Sequence, residues 1–146
     1  METLKRLPKN ANVQTDQVFR ANGKGLLTVE TDRFCAMASD HPDKIAFKKA
    51  EFNLTSDKCN AVVLEVLSGK EVEITAVGQA GKTAGEQAIN DFQPLTWVKG
   101  TITLKGKTIE SVHHLDDAGE LIREVPGKGS AVELVEGVRL YRVKVK

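Results

Sequence analysis

From residue 95 onward the sequence is a succession of short apolar runs, each broken by a connection that carries glycine. The runs fall at 95–98, 101–104, 108–114, 121–125, 131–135 and 138–145. Between them stand Lys99-Gly100, Lys105-Gly106-Lys107, Asp116-Asp117-Ala118-Gly119, Pro126-Gly127-Lys128-Gly129 and Glu136-Gly137. Connections this short favour antiparallel neighbours, and short strands at this spacing predict a mainly β domain, an antiparallel small barrel or sandwich. In the last run Val138 and Leu140 share one parity while Val143 and Val145 share the other. That shift predicts a bulge near Tyr141 and Arg142, or a strand that leaves one core for another surface.

The same logic extends upstream. Residues 61–67 are almost continuously apolar, Ser68-Gly69-Lys70 turns the chain, and 71–77 alternates. Val72, Ile74 and Ala76 take one face; Glu71, Glu73 and Thr75 take the other. This is a hairpin whose second strand is half-buried and whose first strand belongs near the centre of the fold. Strands are also expected at 26–30 and 45–54, split by Asp40-His41-Pro42-Asp43. In the second of these the phase changes near Ala50, since Ile45 and Phe47 have one parity and Phe52 and Leu54 the other. One short helix is predicted at about 83–92. Thr83-Ala84-Gly85-Glu86 fits a capping box, Ala84, Ala88, Ile89 and Phe92 share a face, and Pro94 ends it. Residues 1–25 are polar with sparse apolar anchors and cannot build a core alone. They read as an extended arm or a disordered leader, which leaves 26–146 as a single β-rich domain.

Composition narrows the function. A chain of 146 residues fits one domain. Its 21 basic side chains against 20 acidic ones exert no global pull toward nucleic acid or an acidic membrane. No run approaches the roughly 18 apolar residues of a membrane span. The first 17 residues are polar and mixed in charge, unlike a secretory signal. The expected location is the cytoplasm or a particle into which the protein is incorporated, without a membrane partner. Cys35 and Cys59 form no C-x-x-C pair, which excludes a zinc ribbon or a thioredoxin motif. They read as buried free thiols, with a disulfide as the alternative.

Three patterns bear on chemistry. The stretch Ala76-Val77-Gly78-Gln79-Ala80-Gly81-Lys82-Thr83 resembles the phosphate-binding loop of nucleotide hydrolases, with Ala76 where the strict pattern has glycine. The resemblance implies a phosphate cradled at Gly78 and Gly81, neutralised by Lys82, with Thr83 as a magnesium ligand. The short following helix, the lack of a second acidic strand and the antiparallel surroundings oppose it. A glycine-rich turn that caps a helix is the simpler reading. His113 and His114 precede Asp116 and Asp117, but adjacent strand residues point to opposite faces, so neither a metal site nor a cofactor is expected. No nucleophile elbow or triad order is present, so no catalytic residue and no enzyme is expected.

Basic and aromatic residues coincide twice, at Phe47, Lys48, Lys49 and Phe52, and at Trp97, Lys99, Lys105 and Lys107. A barrel with such a face holds single-stranded nucleic acid by stacking and phosphate contacts. Only five Phe, one Trp and one Tyr are available, however, and a core needs some of them. The leading expectation is a non-catalytic structural or assembly protein. It forms homo-oligomers or decorates a larger, virion-like particle, and its N-terminal arm makes the subunit contacts. A single-stranded nucleic-acid-binding barrel and a phosphate-binding protein using the loop 78–83 are the alternatives.

Overall fold

The computed structural model describes residues 12–16, 26–39, 42–56, 59–79 and 95–146. The first strands are β1 (Asn12–Asp16), β2 (Leu26–Glu30), β3 (Phe34–Ser39), β4 (Asp43–Ala46), β5 (Ala50–Leu54), β6 (Cys59–Ser68) and β7 (Glu71–Gln79). They are followed by β8 (Leu95–Thr96), β9 (Gly100–Leu104), β10 (Ile109–Leu115), β11 (Leu121–Pro126), β12 (Ala131–Leu134) and β13 (Leu140–Val145). The large sheet has the order β1-β2-β3-β6-β7-β13-β10-β11, with β8 alongside β7. The small sheet has the order β12-β9-β5-β4, and the pairings in both sheets are antiparallel. The expected antiparallel, mainly β fold is present, but the barrel is not. Among the described residues both sheets stay open, and they pack as two layers around one core.

Alternation decides which side chains fill the gap between the layers. On β7 it buries Val72, Ile74 and Ala76 and leaves Glu71, Glu73 and Thr75 half-exposed on the outer face. Leu64, Ile74, Tyr141 and Val143 of the large sheet meet Phe52, Leu54 and Ile102 of the small one in a single core. Each such side chain contributes about 1.5–3 kcal/mol on burial. Phe47 and Phe52 pack edge to face, with centroids 5.0 Å apart. The nearly continuous apolar run is β6, which lies inside the large sheet between β3 and β7, but only one of its faces is buried: Val62 and Leu64 enter the core, while Ala61, Val63 and Glu65 are exposed.

Three details differ from expectation. Residues 34–39 form a strand that was not anticipated. Residues 45–54 hold two strands rather than one, because the phase change is a turn: Phe47 N–H donates to Ala50 O at 2.7 Å, closing the β4–β5 hairpin. In β13 the buried parity is Tyr141, Val143 and Val145 throughout, so no bulge lies at Tyr141–Arg142. Val138 is buried in the preceding turn, and the register shift sits across from the end of β13, between Ile109 and Ser111. Of the N-terminal arm, 12–16 adds to the flank of the large sheet, pairing Asn12 with Glu30 through Asp16 with Leu26. The rest of 1–25 and the helix expected at 83–92 lie outside the described residues.

The β11–β12 connection is one of the corners that carry the chain from the large sheet to the small one. Gly127 N–H donates to Glu110 O at 2.9 Å, Ile109 N–H to Gly129 O at 2.8 Å, and Leu104 N–H to Ser130 O at 2.8 Å. Successive residues thus bond to one layer and then the other. A Cβ on Gly127 would run into the backbone carbonyl of Ile109, so glycine is required there for close approach. Gly127→Ala is expected to cost about 2 kcal/mol or more, because backbone must move. Gly69→Ala, with open space at its Cβ, should stay within about 0.5 kcal/mol. Urea unfolding midpoints of the two variants check this.

Candidate functional site

Beyond that corner the layers part. Between β10 and β11 of one sheet and β9 and β12 of the other lies a cleft of 890 Å3. This is within the range of about 300–1,000 Å3 that ligand sites occupy. Val112, Val125, Leu134 and Val135 give it apolar walls, and Lys99, Lys128 and Glu133 stand around it.

The edge of β12 borders this cleft. Because Leu104 N–H bonds to Ser130 O, the antiparallel alternation turns the backbone of Val132 and Leu134 toward β9. The N–H and C=O groups of Ala131, Glu133 and Val135 face the free side. Those of Val135 are met by a side chain. The Tyr141 hydroxyl accepts the Val135 N–H at 2.8 Å, and lies 3.1 Å from Val138 O and 3.3 Å from Val135 O as their donor. Burial pushes this phenol above its ordinary pKa, the bond from Val135 opposes the shift, and the hydroxyl stays protonated at neutral pH. Tyr141 therefore occupies the end of the β12 edge as a strand would, leaving the outward backbone groups of Ala131 and Glu133 without a partner among the described residues.

The edge of β11 is built differently. The Gly127–Glu110 bond sets a phase in which Arg123 and Val125 face β10, and Glu124 and Pro126 face outward. Pro126 offers no N–H, and a two-fold pairing of this edge centred on Glu124 would oppose like charges. These are devices that keep an edge single. Leu121 and Ile122 are nonetheless exposed, at 57% and 43%.

His114 lines the cleft and is buried. Arg123 Nη1 lies 2.9 Å from its Nδ1, and because a guanidinium only donates, Nδ1 must accept. The proton of the neutral ring then sits on Nε2. Burial first, and Arg123 second, hold the imidazole below its usual pKa. With its one lone pair committed to Arg123, this histidine is a fixed donor and not a free base. His113, on the opposite face, places Nε2 2.7 Å from Glu124 Oε1. The two histidines thus diverge. Asp116 Oδ1 accepts from Ala118 N and Glu120 N, both at 2.9 Å, and Asp117 pairs with Arg139 at 2.8 Å, so both acids serve the turn. No cluster of three metal-ligating side chains occurs among the described residues.

The basic–aromatic residues separate into two places. Phe47 is buried, while Lys48, Lys49, Lys105 and Lys107 gather at one end of the sandwich, where Lys105 N–H bonds to Lys49 O at 2.8 Å. Trp97 and Lys99 lie at the opposite end of β9. Trp97 is half-buried under the Arg139 guanidinium, 4.1 Å above its ring, and Lys99 approaches Glu136 at 4.0 Å. Gly78 is buried in β7 between Asn60 and Thr96, whereas Gly81, Lys82 and Thr83 lie outside the described residues. Cys35 is a free, buried thiol pushed up to about 11, by burial above all, and inert at neutral pH. Among the described residues no helix is long and apolar enough to cross a membrane. The cleft itself was not found from sequence, because it is made by two edges that meet only through topology.

No known protein family, curated protein or solved structure matches the chain.

Two outcomes are expected at this site. Tyr141→Phe should lower stability by about 1–2 kcal/mol, since it strips the Val135 N–H of its partner; urea unfolding measures it. His114 has a folded-state pKa below the ordinary 6.5, so the unfolded chain binds more protons as the pH falls. Its contribution to stability is complete above pH 6.5 and is lost as pH falls through the folded value. Unfolding midpoints measured from about pH 7.5 to about pH 5 should decline, and decline less steeply in His114→Gln.

Proposed function

We propose that this protein is a non-catalytic assembly subunit whose copies join by strand addition. An extended segment of one copy lies along the free edge of β12 in the next and becomes the fifth strand of its small sheet. The observation that carries this reading is the Ala131–Glu133 edge: backbone donors and acceptors turned toward a cleft with apolar walls, beside a β11 edge that is guarded. Backbone pairing supplies affinity in such docking, and alternate side chains supply specificity.

The donor is the N-terminal arm. Residues 1–11 precede β1, which closes the flank of the large sheet away from β11. Extended, they reach at most about 36–40 Å, enough to cross to a neighbouring molecule. A contact from one flank to the other is heterologous, so it propagates into rings or filaments, or into a layer on a larger, virion-like particle.

Light scattering after size exclusion tests it on the full chain. The mass should rise with concentration, and either deletion of residues 1–11 or Ala131→Pro should return it to that of a monomer. Ala131→Pro removes one outward N–H and leaves the bonds to β9 intact. A full-length chain that stays monomeric at every concentration, or variants that assemble unchanged, contradict the reading.

A further inference from the structure

The end of the sandwich opposite the open cleft has its own chemistry. The β4–β5, β6–β7 and β9–β10 connections converge there with the C-terminus. Besides Lys105 on Lys49, Val145 N–H bonds to Lys70 O and Lys146 N–H to Thr108 O, each at 2.9 Å. These segments bring together Lys48, Lys49, Lys70, Lys105, Lys107 and Lys146. A chain with almost no net charge therefore carries a basic pole.

Some cations elsewhere are neutralised by ion pairs. Lys44, Lys99, Arg139 and Arg142 each have a carboxylate partner. Lys48, Lys49, Lys70, Lys105 and Lys107 make no side-chain ion pair among the described residues, although the Glu30 carboxylate reaches this end and accepts the Lys48 backbone N–H at 2.7 Å. Lys105 Nζ is instead held on the carbonyl of Phe47 at 2.6 Å, which fixes an ammonium in place without neutralising it. Uncompensated charge concentrated in this way attracts anions.

Within the pole, Lys49, Lys105 and Lys107 surround a cavity of 210 Å3. Its walls are Leu64, Val66, Val72, Leu104 and Val145, where the two layers of the core come to the surface. A dry apolar cavity of about 150 Å3 accepts benzene, so this one has room for a chain of about six to eight carbons. A purely apolar guest would leave the lysines unanswered, and a bare anion would leave the cavity unfilled.

We infer that this end of the sandwich binds a small anionic amphiphile, with a carboxylate or phosphate head on the Lys49, Lys105 and Lys107 rim and a short aliphatic tail in the cavity. The site is independent of the strand-addition cleft, which lies at the other end of β9 and β10.

Isothermal titration of the full chain with octanoate, octyl phosphate, acetate and an oligothymidine tests it. Octanoate and octyl phosphate should bind at least tenfold more tightly than acetate. Lys49→Gln with Lys105→Gln should weaken both at least tenfold, while Val66→Phe should weaken octanoate and leave acetate unchanged. Lys107→Gln, which alters only an exposed side chain, repeats the head-group test if the double variant unfolds. Equal binding of acetate and octanoate, or octanoate binding that survives loss of the lysines, overturns the inference. So does oligothymidine binding that octanoate fails to displace, which marks a surface for polyanions instead.

Discussion

Backbone bonds fix the two layers against each other at the β11–β12 corner, where Gly127, Gly129 and Ser130 bond in succession to the large sheet, to its first β10 residue and to the small sheet. Only glycine allows the backbone of Gly127 to lie against Ile109. Two layers that share a core still need a reason to keep one orientation, and backbone bonds at a fixed crossing provide it. A second tie lies at the other end, where the Tyr141 hydroxyl of the large sheet holds the backbone of Val135, next to β12 of the small one. The cleft runs between these two ties, from Gly127 to Val135, and Tyr141 marks one limit by occupying the end of the β12 edge with its hydroxyl.

The edges show which surfaces are meant for pairing. On β11 a proline, an outward glutamate and a register shift beside His114 all work against a further strand. On β12 the outward positions are Ala131 and Glu133, neither of which withholds an N–H. Charge follows a similar division. Arg142 pairs with Glu73 at 2.6 Å and Arg139 with Asp117, while the lysines of the turns around Lys49 and Lys105 make no ion pair among the described residues. Exposed ion pairs add little stability, about 0–1 kcal/mol each. The lysine-rich pole makes no such pairs among the described residues.

Much of the fold was legible in the sequence wherever one face of a strand is buried and the other wet. Residues 71–77 alternate cleanly and form β7, and every glycine-bearing break after residue 99 separates two strands. Legibility failed where that contrast is missing. Phe34 to Ala38 is apolar on both faces, so no period distinguishes β3 from any other buried run. The parity change at Ala50 looked like a bend within one strand, because a turn written Phe-Lys-Lys contains neither glycine nor proline. Val138 misled the reading of β13, since a buried turn residue imitates the phase of a strand. The site was less legible still. His114, Arg123 and Tyr141 come from three strands, and nothing in their spacing brings them together. The lysines did stand out, but sequence could not tell that Lys105 and Lys49 are neighbours while Trp97 lies at the far end of β9.

Amide hydrogen exchange along β12, followed from dilute to concentrated protein, tests strand addition most directly. In dilute monomer the amides of Val132 and Leu134, bonded to β9, should exchange slowly, and those of Ala131 and Glu133 fast. On concentration the fast pair should become protected, because each now donates to an added strand. Equal protection of all four in the monomer, or fast exchange of Ala131 and Glu133 at every concentration, would contradict it.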